Sequence, residues 1–420
     1  MAGTDSSVAV RATNEADQAL VARAGALLQA NGESTSVTVA AVDRLNRGLG
    51  TDFQIVPAWA SLSILDRGRD PLVTVAPPLS VGMTSVAIAM RVIDRVGQKT
   101  ASRVELDAEL TRAAKSGPAQ LWLFVVACAT GAAALSIIFG AQDATAVLLI
   151  AFSAALGGLI RRLLGRVHVG PLGQVFAAAL LAGAVGGLAV HADLSTSMRL
   201  IAVCPAMILV PGPHILNGVL DLFALRISLG LARLGYSAMI LLAVGAGLAV
   251  SLALLGTDLP VQPVGRAVPL WLDIAAAAVA AASYPVYFAI PYRLIALPVV
   301  VGAAAHGLRT WAMEDFGVNI AVGALIACLV VGVVMAPLSH RMHIPYAAVS
   351  FAAVVALVPG VLVFRAIDAL GEVAFGGSDA NVAGALSDGT SAVLIVLGMA
   401  VGLALPKQIY GKITELRKRT

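Results

Sequence analysis

The stretch Leu209-Val210-Pro211-Gly212-Pro213-His214-Ile215-Leu216-Asn217, leading into Asp221, interrupts an apolar run otherwise long enough to cross a bilayer. Proline removes a backbone donor and clashes with the preceding turn, and glycine adds conformational freedom. In lipid such a break survives only where protein or a water-filled cavity satisfies the released carbonyls. The block recurs as Leu357-Val358-Pro359-Gly360, leading into Arg365 and Asp368. Pro-Gly kinks also serve helix packing alone, so the repetition supports either a functional pair or two packing kinks.

Around these breaks the composition is that of a membrane protein. The 420 residues are 59% hydrophobic and only 12% charged, whereas soluble chains are about 25% charged. From Pro118 onward ten apolar segments are predicted, at 119–139, 143–160, 172–190, 199–220, 236–255, 268–289, 294–309, 319–338, 345–366 and 389–406. With the N-terminus inside, the cytoplasmic turns and tail carry Arg161, Arg162, Arg166, Arg226, Arg233, Arg293, Arg341, Lys407, Lys412 and Arg417 to Arg419. The outer turns carry only Arg199, Arg266 and Arg309, and the last outer segment is acidic (Asp368, Glu372, Asp379, Asp388). This bias predicts a multi-pass protein of a bacterial inner (plasma) membrane with both termini cytoplasmic.

The two breaks fall in the fourth and ninth segments. The second lies five helices after the first, an odd step, so the two broken helices run in opposite directions. The expected fold is therefore an α-helical polytopic membrane protein of about ten transmembrane helices, arranged as two inverted five-helix repeats. A small α/β soluble domain precedes them. The expected boundaries are 1–117 for the cytoplasmic domain, 118–260 for the first membrane half and 261–420 for the second, with its basic tail. Within the soluble domain, helices are predicted over 16–30, 34–48, 85–96 and 103–114. Short strands are predicted over 53–59, 61–65 and 72–76. Gly183 and Gly187 form a small-xxx-small face suited to helix packing.

Several functions are disfavoured. Cys128, Cys204 and Cys328 are far apart in apolar segments and suit neither a metal site nor a disulfide. There is no phosphate-binding glycine loop, zinc spacing or nucleophile elbow, so neither an enzyme nor a cofactor is expected. The net charge of +4 comes from membrane loops and the tail, and no nucleic-acid partner is implied.

The segment CPAMILVPGPHILNGVLDL (204–222), with Pro118 to about Leu255 around it, resembles the first membrane half of the threonine/serine exporter family. ALPVVVGAAAHGLRTW (296–311) and HRMHIPYAAVSFAAVVALVPGVLVFRAI (340–367) resemble its second half, and LLQANGESTSVTV (27–39) its N-terminal domain. One departure is Pro213-His214, bulkier than the small residues expected after the first Pro-Gly. The resemblance implies export of L-threonine and L-serine, driven by the proton gradient or the membrane potential, in a chain that fuses both halves.

A zwitterionic substrate needs donors or a cation for its carboxylate, and carboxylates or carbonyls for its ammonium. The candidate binding residues are Pro211, Gly212, His214, Asn217 and Asp221 in the first half, and Pro359, Gly360, Arg365 and Asp368 in the second. Arg365 could hold the carboxylate, and snorkelling or an ion pair near the outer interface is the competing role. Asp221 and Asp368 could take the ammonium or a coupling proton, or be solvated helix ends. His214 could relay protons or be a packing histidine. Asp273 suits the outer interface, and His306 suits a partner on another helix. The expected partners are lipid, a small amino acid and protons, with the oligomeric state open. The competing functions are a membrane-anchored receptor or enzyme acting through its cytoplasmic domain, and a channel for another small solute.

Overall fold

The computed structural model describes residues 2–66, 70–78, 80–141, 143–194, 198–257, 268–374 and 379–419. Two separate hydrophobic cores organise them. The first belongs to an N-terminal unit built from α1 (Ala2–Ala30), α2 (Thr35–Leu49), β1 (Gln54–Pro57), β2 (Ser61–Leu65), β3 (Leu72–Val75), α3 (Met83–Gly97) and α4 (Arg103–Ala114). The strands form an antiparallel meander in sequence order, with Ile55 opposite Ile64 and Ser63 opposite Val73.

Period decides each face. Leu62 and Ile64 alternate inward on β2, and α2 buries Thr38, Ala41, Val42 and Leu45 at helical spacing. The buried amide of Gln29 donates to the carbonyls of Ala58 (2.9 Å) and Ala76 (3.0 Å), fixing the end of α1 to the sheet. Ser102 and Glu105 close a capping box that starts α4 at the predicted residue.

The second core belongs to a helical bundle. Its elements are α5 (Leu121–Ile138), α6 (Ala144–Arg166), α7 (Pro171–His191), α8 (Met198–Met207), α9 (Gly212–Phe223) and α10 (Ile227–Leu254). They are followed by α11 (Leu270–Tyr287), α12 (Ala296–Phe316), α13 (Ile320–Met342), α14 (Tyr346–Val354), α15 (Gly360–Ala374) and α16 (Asp379–Arg419). Among the described residues eight helices are long and apolar enough to cross a membrane, and ten spans result if each bent pair counts as one. The bend is 55° between α8 and α9, and 72° between the segment 346–357 and α15. Leu148, Phe152, Leu242 and Val333 point outward from the bundle, the pattern of helices whose surroundings are hydrocarbon.

The N-terminal unit meets the bundle at the C-terminal ends of α9, α11 and α13. Thr35 bonds Asp221, the Met83 N–H donates to the Phe288 carbonyl (2.9 Å), and Asp94 pairs with His343. The opposite, far side holds the ends of α7 and α10, where His191 meets the Leu255 carbonyl at 2.7 Å. The α8–α9 pair starts beyond α7 on the far side and ends on the N-terminal unit, so it traverses the bundle. The α14–α15 pair runs the other way, from Tyr346, bonded to the Leu403 carbonyl (2.6 Å), to Arg365, which reaches Asp388 early in α16.

The helix packing of α5–α10 recurs in α11–α16: first against second, third along sixth, and the broken pair against the sixth. The expected Gly183 face does pack, since a Cβ on Gly183 would lie 2.0 Å from Ser251 Oγ on α10. Two spans extend well beyond expectation: α10 begins at Ile227, and α16 carries the basic tail as continuous helix through Pro406. Lys and Arg favour helix as well as turn, so a charged tail can prolong a span beyond its apolar run.

Candidate functional site

Both Pro-Gly blocks fold the same way. The Gly212 N–H turns back to the Val210 carbonyl (2.9 Å), and Ile215 bonds Pro211 (3.2 Å). In the second break Gly360 bonds Val358 (2.8 Å), and Val363 bonds Pro359 (3.0 Å). The Leu209 carbonyl loses its helical donor because Pro213 has no N–H.

The two breaks lock together across the middle of the bundle. A Cβ on Gly212 would sit 1.9 Å from the Phe351 ring on α14, and one on Gly360 would sit 2.7 Å from Met207 Cγ on α8. Tyr284 of α11 fills the space between them. Its hydroxyl reaches the Met207 carbonyl (3.4 Å), and its ring stands edge-on to Phe351 at 5.7 Å.

A cavity opens from each side onto its own break. The one on the side of the N-terminal unit, about 330 Å³, is lined by Ser80, Arg161, Arg162, Pro211, His214 and Tyr287, among others. The far-side cavity, about 400 Å³, is lined by Asp273, Arg309, Thr310, Pro359, Glu314 and Arg365, among others. Their walls correspond at a constant step of 148 residues. Arg161 matches Arg309, Arg162 matches Thr310, and 208–211 match 356–359. Phe139 in the far wall likewise matches Tyr287 in the near wall.

Most charges in this region are already answered. Arg162 lies 4.1 Å over the Phe124 ring. Arg365 Nε sits 2.9 Å from Asp388. Asp273, buried in the wall rather than at the interface, pairs with His306 Nε2 (2.9 Å) and accepts from Thr310 (2.7 Å). His306 thus has the partner on another helix that its position suggested.

The sequence-predicted residues divide into three groups. Pro211 and His214 line the near cavity, with His214 edge-on to Tyr236 at 5.3 Å, and Pro359 and Arg365 line the far one. Gly212 and Gly360 form the interlock. Asn217 and Asp221 lie in neither wall. They face the N-terminal unit, where Asn217 donates to the Gly32 carbonyl (3.0 Å) and Asp221 accepts from Thr35 (3.0 Å). Asp221 also holds Arg233 (3.0 Å) and Arg226 (3.5 Å), and Arg226 donates to Ser36 (2.9 Å). Asp368 lies on α15, but its side chain falls outside the described residues. Arg161, Arg309, Tyr284 and Phe351 were not singled out as site residues, although the 148-residue step between the breaks carries Arg161 onto Arg309.

A second contact ties the N-terminal unit to the other half of the bundle. Asp94 pairs with His343 and with Arg44 (3.0 Å), while buried Glu33 shares a small cavity with His340, His343 and Lys407. Burial pushes the Glu33 carboxyl above its ordinary range. Burial also works to raise Asp94, but the hydrogen bond from His343 and the Arg44 charge outweigh it and hold that carboxyl low. A folded value below the unfolded one stabilises above about pH 4, and that contribution disappears as pH falls through the lowered value. Asp94→Asn is therefore expected to speed proteolysis of the 115–120 connection at neutral pH and to flatten its acid dependence. Equal cleavage rates in variant and parent would show that the pair contributes nothing.

The family model described as a threonine/serine exporter matches residues 19–255. A second, described as Threonine/Serine exporter, ThrE, matches residues 273–409. No solved structure matches the chain.

Proposed function

Since the chain belongs to the threonine/serine exporter family, we propose that it is a secondary transporter exporting threonine, serine or a similar small amino acid. The observation that carries this reading is the pair of cavities on opposite sides of the bundle, each ending on a Pro-Gly break and separated by the Met207–Tyr284–Phe351 interlock. Opening one cavity while closing the other would move a solute without ever forming a continuous channel. The 148-residue correspondence of the walls supports two inverted repeats, spanning 118–260 and 261–420 after a soluble domain at 1–117.

Pro211, Gly212, His214, Pro359, Gly360 and Arg365 are proposed to shape the path. Asn217 and Asp221 are proposed to couple it to the soluble domain. We infer that this domain lies in the cytoplasm, with the chain in a bacterial inner membrane; the reading is supported by Arg161, Arg162, Arg166, Arg226 and Arg341 on its side. The near cavity would then load substrate from inside the cell. Coupling to protons or to the membrane potential would drive the export.

The full chain in proteoliposomes is expected to carry labelled threonine, and to carry it faster when a proton gradient or potential is imposed. No threonine or serine flux under any of these conditions would overturn the substrate assignment. Rapid flux unaffected by both would favour a channel.

A further inference from the structure

We propose that Arg161 and Arg309 are paired carboxylate anchors, Arg161 gripping the substrate's α-carboxylate in the near cavity and Arg309 gripping it in the far one. This rests on the exporter reading and adds to it the groups that bind one end of the substrate.

Position is the first argument. Arg161 stands fifty residues before Pro211, and Arg309 stands fifty before Pro359. Each sits in the C-terminal half of the second helix of its set, and each lines the cavity that ends on its break. Arg161 also borders the small space between α6 and the broken span, beside Pro205, Ile208 and Leu209.

Availability is the second argument. The Nε of each is buried without a hydrogen-bond partner among the described residues, a costly condition for a guanidinium unless a ligand relieves it. Arg162 and Arg233 share the orphaned Nε, but each has another contact: Arg233 pairs with Asp221, and Arg162 lies over Phe124 and reaches the Ala119 carbonyl at 3.5 Å. Arg365 is held by Asp388. Asp273 on the adjoining helix is close enough for its charge to be felt at Arg309, but its oxygens are taken by His306 and Thr310.

Chemistry is the third. A guanidinium fork matches a carboxylate in two parallel hydrogen bonds and stays charged at any physiological pH. Among its described lining residues the near cavity has two arginines and no carboxylate, so it selects the anionic end of a zwitterion. The ammonium end is left to the Leu209 carbonyl, which has no helical donor, and to the faces of Tyr284 and Tyr287. In the far cavity Asp273 and Arg365 are already held by His306, Thr310 and Asp388, so Arg309 is left for the carboxylate and Glu314, in the same wall, for the ammonium. At about 30 Å³ per water, each cavity holds a small amino acid with several waters.

The test uses the full chain in proteoliposomes, with orientation read from protease access to the N-terminal unit. Arg161→Gln is expected to raise the KM for threonine supplied on the side of that unit about tenfold to a hundredfold, and Arg309→Gln to do so for threonine supplied on the far side. Arg161→Lys and Arg309→Lys keep the charge but lose the two-point grip, so intermediate values are expected. A binding readout accompanies the flux. Threonine should raise the Tm of the purified parent more than its decarboxylated analogue 1-amino-2-propanol does, and the Gln variants should erase that difference. If the parent transports threonine while both Gln variants keep its KM and its discrimination, the anchors are overturned and the exporter reading stands. If the Gln variants do not fold, Lys variants with unchanged KM and discrimination overturn the anchors equally. If the parent moves no amino acid from either side, both fall.

Discussion

Replacing Gly212 with alanine is expected to cut threonine flux by at least about tenfold and to lower stability by about 1–3 kcal/mol, the usual range for overpacking a filled interior. The added methyl would lie 1.9–2.1 Å from three atoms of the Phe351 ring. That ring is only 6% exposed and is held edge-on by Tyr284, so it cannot move aside without shifting α14 or α11. The matching change Gly360→Ala meets the Met207 side chain at 2.7 Å. A thioether has rotatable bonds with which to yield, so its cost should be well under half as large. The contrast separates a general intolerance of side chains at the breaks from the specific Gly212–Phe351 contact. Phe351→Ala should recover much of the loss when combined with Gly212→Ala, although alone it opens a cavity. Thermal denaturation and flux on the four proteins give the coupling directly. Parent-like behaviour of Gly212→Ala, or a double variant no better than the single, would remove the interlock as an explanation.

The breaks were legible because proline and glycine act locally. Their effect on a helix is nearly the same wherever they stand, so Pro211-Gly212 and Pro359-Gly360 announced two bent spans without any tertiary information. The apolar runs located the other spans for the same reason, although α10 and α16 continue well beyond their runs. Direction around a helix was not legible. His214, Asn217 and Asp221 stand within eight residues on one helix, and their proximity to Pro211 suggested a single site. In three dimensions Pro211 and His214 face a cavity while Asn217 and Asp221 face the turn at Gly32 to Ser36. Which face meets which neighbour depends on packing by a segment almost 190 residues away, which no periodicity reports.

The arginines show the opposite difficulty. Arg161 and Arg309 were read as markers of loop topology, a correct use of charge bias that conceals any second role. Arg365 was the more conspicuous candidate because it follows a break closely, yet its partner Asp388 lies on α16, where the sequence reading saw only an acidic outer segment. An ion pair between helices becomes visible only when both helices are placed. Symmetry could have offered a route around this. The step that carries one Pro-Gly onto the other also carries Arg161 onto Arg309, and a residue type preserved at that step in two sparsely charged halves is a stronger signal than nearness to a break.

Asp221→Asn is expected to be the most destabilising single change in the bundle, by about 3–5 kcal/mol, because it leaves a buried guanidinium without its counter-charge. Arg233 is 0% exposed and Asp221 2% exposed, with 3.0 Å between them, and Thr35 and Arg226 complete the carboxylate's contacts. Transport loss in this variant would be ambiguous, since a substrate ligand, a structural ion pair and a docking point for the N-terminal unit all predict it. Asp221 lies in neither cavity wall, which weighs against the ligand role, and the double change Asp221→Leu with Arg233→Met separates the other two. It removes both charges and keeps apolar volume, so Tm should return close to the parent's value. The Thr35 and Ser36 turn would still have lost its acceptor and its ordered Arg226 partner, so protease access to the N-terminal unit should remain raised. If flux returns with Tm, the pair is structural. If Tm returns and flux does not, while protease access stays high, then seating the Gly32–Ser36 turn on α9 is itself required for transport. That outcome would put the N-terminal unit's grip on the broken helix ten residues beyond Pro211, where a small displacement of the turn would be felt at the mouth of the near cavity. A variant with unchanged Tm in the single Asp221→Asn protein would sink both versions, because it would mean that Arg233 does not depend on this carboxylate at all.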